Sequence, residues 1–321
     1  MARRVDVATM VEQAREGRAR AVARLISLVE DASPALREVM AALAPHAGNA
    51  YVVGMTGSPG VGKSTSTSAL VSAYRALGKR VGVLAVDPSS PFSGGALLGD
   101  RVRMQDHATD PEVFIRSMAS RGHLGGLAWA TPQALRVLDA AGCDVILVET
   151  VGVGQSEVEV ASAADTTVVL VAPGMGDGIQ AAKAGILEIG DVYVVNKADR
   201  DGARTTAREL GHMLALGPSR GPEEWRPPIV STVASRGEGM DEVVEALEKH
   251  RAWMAGNGTL EHRRRQRVRA EVEAIALAAL RERMGGLAAG RTSDALADRV
   301  LAGALDPYAA ADELIAGLAG G

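Results

Sequence analysis

The hydrophobic pattern of the chain changes period twice. Over residues 1–48, Val11, Ala14, Ala21, Leu25 and Leu28 recur at near-helical spacing, which predicts a helical N-terminal extension. From 49 to 256, short apolar runs alternate with helical stretches. The runs are YVVGM (51–55), RVGVLAV (80–86), EVFIRSM (112–118), DVILVE (144–149), TTVVLVA (166–172), VYVVN (192–196) and PIVST (228–232). Several are apolar without alternation, as strands covered on both faces are. The expected core is α/β: a mainly parallel sheet flanked by helices, with ligands held by loops at the strand C-termini. From 257 to 321 the helical period returns. Val268, Val272, Ile275 and Leu280 lie among charges, and RTSDALADRVLAGAL and PYAAADELIAGLAG follow. Such a tail packs a core of its own or builds an oligomer interface, and the interface is the favoured reading.

Composition narrows the setting. Of 321 residues 47% are hydrophobic but only 3% aromatic, so the core must be built from Ala, Val, Leu and Ile. A net charge of −4 argues against a general nucleic-acid surface. The local basic cluster HRRRQRVR (262–269) reads as a solvated helix face. Cys143 is the one cysteine, which leaves no intrachain disulfide and too few ligands for zinc. It reads as a packing residue in a reducing, cytoplasmic protein. No apolar run reaches the ~18 residues of a membrane helix. The arginine-rich start carries Asp6, Glu12, Glu16 and Glu30, acids that are scarce in transit peptides, so it reads as part of the fold.

The strongest chemical signal is GSPGVGKS, Gly57 to Ser64, between the run YVVGM and a helical stretch. It fits the phosphate-loop pattern, in which glycines turn backbone N–H groups inward to cradle phosphate oxygens. The phosphate-binding set is Gly57, Ser58, Pro59, Gly60, Val61, Gly62, Lys63, Ser64 and Thr65. Lys63 would reach the terminal phosphates, Ser64 would offer its hydroxyl to magnesium, and the helix start adds its positive dipole end. Two acids close apolar runs where that ion would sit: Asp87 and Glu149. Asp100 lies in the glycine-rich stretch SGGALLGDRVRM, read as a loop able to move over the nucleotide; as a plain helix cap it would be structural.

The phosphate loop serves ATP and GTP alike, so the base must be read elsewhere. NKAD ends the run VYVVN. A carboxylate at Asp199 accepts both N1–H and the 2-amine of guanine, whereas adenine would leave it facing a lone pair. Asn196 is placed to brace the loop and reach the base edge, and the stem of Lys197 to lie on the purine face. In STVASRGEG, a backbone N–H near Ala234, in the stretch with Val233, is the expected donor to guanine O6. The same stretch also reads as a plain helix entry.

Taken in order, GSPGVGKS, DPSSPFSGGALLGDRVRM, ETVGVGQSE, PGMGDGIQAAKAGILEI and NKAD resemble the MeaB/ArgK family of P-loop GTPases, over about residues 50 to 240. One departure is Val233-Ala234, where that family usually has Ser-Ala. The resemblance implies a P-loop NTPase core and a GTPase that uses GTP/GDP and Mg2+. Ser64, Asp87, Asp100 and Glu149 would surround the magnesium. Residues 99–104, 152–157 and 174–185 would be three switch loops. It also implies a C-terminal dimerisation arm, hence a homodimer, and a chaperone role toward an adenosylcobalamin-dependent methylmalonyl-CoA mutase. Lys63, Lys183 and Gln155 are the catalytic candidates. Gln155 is the tempting group to position water, but chemistry alone does not place it; Lys183 on a bland reading is a surface lysine. Hydrolysis is expected to be slow without the partner. Three rivals stand beside this reading. One is an ATP-dependent kinase of periplasmic amino-acid-binding transport proteins, which Asp199 opposes. The second is a nickel-insertion GTPase, which scattered histidines oppose. The third is a silent binding module, which the intact Lys63, Ser64, Glu149 and Asp199 oppose.

Overall fold

The computed structural model describes residues 6–87, 104–119, 130–150, 156–174, 188–216, 221, 223–288 and 291–319. The chain enters through helices α1 (Val7–Arg15), α2 (Ala19–Glu30) and α3 (Leu36–Leu43). Strand β1 (Tyr51–Thr56) leads into α4 (Lys63–Ala76), followed by β2 (Val81–Asp87) and β3 (Val113–Ala119). Then come α5 (Thr131–Ala140), β4 (Val145–Thr150), α6 (Ser156–Ala163) and β5 (Thr166–Val171). Next are β6 (Val192–Asn196), α7 (Ala203–Ala215), β7 (Ile229–Thr232) and α8 (Met240–Asn257). Helices α9 (Thr259–Ala288), α10 (Arg291–Leu301) and α11 (Pro307–Ala319) close the chain. All seven expected strands are present, each within a residue of its apolar run.

The seven strands form one sheet, ordered β3-β2-β4-β1-β5-β6-β7, and every pairing is parallel. From β1 the chain runs out to β2 and β3, returns to β4 between β1 and β2, and then steps outward through β5, β6 and β7 on the other side. The loop after β1 therefore opens at the point where strand order reverses, the usual ligand crevice of such sheets. Strands β1, β4 and β5 are buried at every position, as cover on both faces requires. Alternate residues serve different layers. Val52, Leu84, Ile146 and Val148 pack with α1, α2, α3 and α5. Tyr51, Val53, Val83 and Leu147 pack with α4 and α8. The N-terminal helices thus share a core with the sheet, and Arg116 of β3 pairs with Glu30 of α2. Cys143 is buried in the first layer, as expected, and burial pushes its thiol well above the ordinary range.

The chain divides into two compact units, Met1–Arg263 and Arg264–Gly321. In the second, Arg299 of α10 grips Glu313 of α11 through two bonds of 2.5 and 3.1 Å. Val268, Val272, Ile275 and Leu280 of α9 are exposed. Among the described residues no helix is long and apolar enough to cross a membrane.

One member of the basic cluster departs from the solvated reading. Arg263 donates to both oxygens of Asp191, each at 2.9 Å, and to the carbonyl of Asp165 at 2.8 Å. Asp191 lies just before β6 and also accepts the Thr167 amide at 2.9 Å. Beside this clamp, His250 is fully buried, with Nδ1 2.8 Å from Thr166 Oγ1 and Nε2 3.4 Å from Asp191 Oδ1. Burial pushes its imidazole down to about 4, against the pull of Asp191 and with the help of Arg263.

A depressed histidine is protonated first in the unfolded chain. Its contribution to stability is complete above the ordinary value of about 6.5 and is lost as pH falls from there to about 4. Urea unfolding should therefore show a decline of up to about 3 kcal/mol across that window attributable to this residue. The pH slope of His250→Gln should be correspondingly flatter; equal slopes would contradict the assignment.

Candidate nucleotide site

The phosphate loop is shaped by what cannot carry a side chain. Gly57 has φ +142°, and a Cβ there would fall 2.3 Å from the carbonyl oxygen of Leu170 on β5. Gly62 has φ +94°, and a Cβ there would fall 2.5 Å from Nδ2 of Asn196. Both positions are in the left-handed region that favours glycine. Gly62 caps α4 without a side-chain bond, and the first turn of the helix carries no acid. The positive end of the helix therefore faces the loop. Lys63 is buried, its ammonium donating to the carbonyls of Gly57 at 2.6 Å and Ser58 at 3.2 Å.

The acids flank this loop through sheet register. Glu149 pairs with Met55 of β1 and with Ala85 of β2, and its side chain is buried. Ser64 Oγ donates a hydrogen bond to Glu149 Oε1. Asp87 ends β2 two residues beyond Ala85, on the same edge of the sheet. A hydroxyl and a carboxylate held together at the end of a phosphate loop are hard oxygen donors. They suit Mg2+ and would serve a soft metal poorly. Asp100, Gln155 and Lys183 lie outside the described residues, as do most of the three expected switch loops.

The loop after β6, the expected base reader, is fastened to the phosphate loop at two points. Asn196, buried at the end of β6, donates from Nδ2 to the Val61 carbonyl at 2.8 Å. Its Oδ1 accepts from the Ala234 amide at 3.1 Å and from Thr232 Oγ1 at 3.2 Å. Lys197 takes φ +58°, rare for a side chain of that length, and its ammonium donates to the Gly60 carbonyl at 2.6 Å. The Ala198 amide donates to the Thr232 carbonyl at 2.9 Å, which ties the loop to β7.

Asn196 braces both loops, with its Oδ1 fully used and one Nδ2 hydrogen given to Val61. The Ala234 N–H, expected to face guanine O6, is taken by Asn196 Oδ1. The next amide along, that of Ser235, makes no backbone or side-chain bond among the described residues. Asp199 stands at the mouth of the loop, 39% exposed, where Arg236 Nη2 donates to its Oδ2 at 2.8 Å. Arg236 carries no signal in the sequence, because its partner is 37 positions away.

Similarity to known proteins runs through both sequence and structure. The family model described as methylmalonyl Co-A mutase-associated GTPase MeaB matches residues 22–288. A putative GTPase of Pyrococcus abyssi is 47% identical, over 97% of this chain and 97% of its own. A mouse protein named methylmalonic aciduria type A homolog, mitochondrial, is 38% identical, over 83% of this chain and 65% of its own. The crystal structure of a protein named LAO/AO transport system kinase superposes with a TM-score of 0.69 and 27% identity, over 99% of both chains.

Gly62→Ala tests the contact on which the two loops meet. It forces a left-handed alanine against Asn196, a strain of about 1–3 kcal/mol. GDP affinity, measured by titration, should fall about tenfold or more while the secondary structure seen by circular dichroism persists. Unchanged affinity would mean that the two loops are not coupled in this way.

Proposed function

The chain belongs to the MeaB family of methylmalonyl-CoA mutase-associated GTPases, and on that premise we propose that it converts GTP and water to GDP and phosphate in order to serve an adenosylcobalamin-dependent mutase. The observation that supports this most is the fastening of Asn196 and Lys197 to Val61 and Gly60, which ties the NKAD loop to the phosphate loop.

In this reading Lys63 leaves the carbonyls of Gly57 and Ser58 for the terminal phosphates, and the loop amides cradle the rest. Asp199 accepts the N1–H and 2-amine of guanine, and the Ser235 N–H donates to O6 in place of Ala234. Ser64 and Glu149 would hold Mg2+, with Asp87 and Asp100 alongside, and charge neutralisation at the phosphates is the chemistry it would supply. Phosphoryl transfer asks for positioning and charge neutralisation more than for covalent help. Gln155 and Lys183 are the proposed groups that orient water and assist hydrolysis, each on a switch loop. The partner is proposed to act through these residues, and the free enzyme to turn over slowly without it.

The arm at 257–321 is proposed as the homodimer contact, where the exposed stripe of Val268, Val272, Ile275 and Leu280 would be covered. The nucleotide cycle would gate cofactor loading and protect the mutase. The rival activity, an ATP-dependent kinase of amino-acid-binding transport proteins, takes its support from the name of the 27% identical structure. It requires adenine to sit against Asp199, where no donor would meet the carboxylate.

Steady-state phosphate release tests the proposal. Addition of an adenosylcobalamin-dependent methylmalonyl-CoA mutase should raise GTP turnover about tenfold or more, within the range partners achieve for such enzymes. High turnover without a mutase, or no response to one, would sink it.

A further inference from the structure

Asp199 is the one base-reading group whose side chain the loop backbone does not fix. The backbone around it is held, since the Ala198 amide donates to Thr232 and the Arg200 amide to the Lys197 carbonyl at 3.0 Å. The carboxylate itself stands in solvent, 39% exposed, and is free to rotate unless something grips it.

Among the described residues that something is Arg236. Its Nη2 donates to Asp199 Oδ2 at 2.8 Å, and its Nη1 lies 3.3 Å from Glu238 Oε1. Arg236 is itself held from both sides. Its amide donates to the Val233 carbonyl at 2.8 Å, and the Val233 amide closes the loop onto the Glu238 carbonyl at 3.0 Å. Of the side chains that precede Arg236 in this loop, Val233 and Ala234 are apolar, and Ser235 carries a hydroxyl.

We propose that Arg236 is a specificity-determining positioning residue, which orients the Asp199 carboxylate toward the guanine edge. Hydrogen-bond capacity permits it. A carboxylate has about four acceptor sites, the guanine N1–H and 2-amine take two, and Arg236 takes a third. The arginine is therefore compatible with bound base. Because a guanidinium offers fixed, charge-assisted donors, it limits the rotation that would blur selection between guanine and a base lacking the 2-amine. The pair is exposed at both ends, so its effect is modest and salt-sensitive. The inference rests on Asp199 being the guanine reader.

The test uses the full chain, with GDP and IDP titrated at low and high salt. Arg236→Met keeps the stem and removes the donors. It should weaken GDP about three- to fivefold and narrow the preference for GDP over IDP. The difference should shrink at about 0.5 M salt. In turnover the loss should appear in KM rather than in kcat. Arg236→Lys should recover part of it, and in an Asp199→Ala background Arg236→Met should add nothing. If Arg236→Met binds GDP as tightly as the parent, or loses the same factor without Asp199, the role is overturned. Asp199→Asn examines the underlying reading separately, because it should move preference from guanine to xanthine nucleotides. No such move would remove the reader; a move with a silent Arg236→Met would remove only the arginine's role.

Discussion

The site depends on one side-chain amide. Asn196 spends its donor on the phosphate loop at Val61 and its acceptor on the loop after β7 at Ala234 and Thr232. Three segments distant in sequence are thereby set at fixed separations. Burial makes the arrangement strict, because an unpaired amide there costs about 1–3 kcal/mol per group. The same contact explains Gly62. With Asn196 Nδ2 only 2.5 Å from where a Cβ would sit, the loop can approach only without a side chain. Lys197 accepts a strained backbone at the adjoining position and adds a second tie to Gly60.

The sheet is what brings these pieces to one edge. With all pairings parallel, β1, β2, β4 and β6 end on the same side, and their last residues or following loops carry the phosphate loop, Asp87, Glu149 and the base-reading loop. Two-sided cover keeps the central strands dry and the register fixed, so the pairing of Glu149 with Met55 sets an acid within reach of Ser64. At the opposite edge, Arg263 clamps Asp191 ahead of β6. One strand thus joins the start of α9 to the base reader.

Much of this was legible in the sequence, for physical reasons. Strands buried on both faces leave uninterrupted apolar runs, so DVILVE and VYVVN locate β4 and β6 to within a residue. The phosphate loop is contiguous, so its glycines, lysine and serine declare one chemistry together. What stayed hidden are pairings between polar residues far apart. Arg263 with Asp191 spans 72 positions and Arg236 with Asp199 spans 37, and each arginine reads locally as solvent-facing charge. The fate of the Ala234 amide was hidden for the same reason, because a backbone N–H leaves no mark in a sequence. Asp100 was read from its glycine-rich stretch and Lys183 through resemblance; both, with Gln155, lie outside the described residues.

Asp199 is carried on a loop fastened to the phosphate-loop backbone, and under the proposed function this makes the site selective for guanine. A calorimetric titration of the full chain with GDP and with ADP, both with Mg2+, tests that most directly. A carboxylate facing guanine predicts GDP binding at least about a hundredfold tighter than ADP, because adenine leaves it opposite a lone pair. Equal affinities, or tighter ADP, would contradict the account.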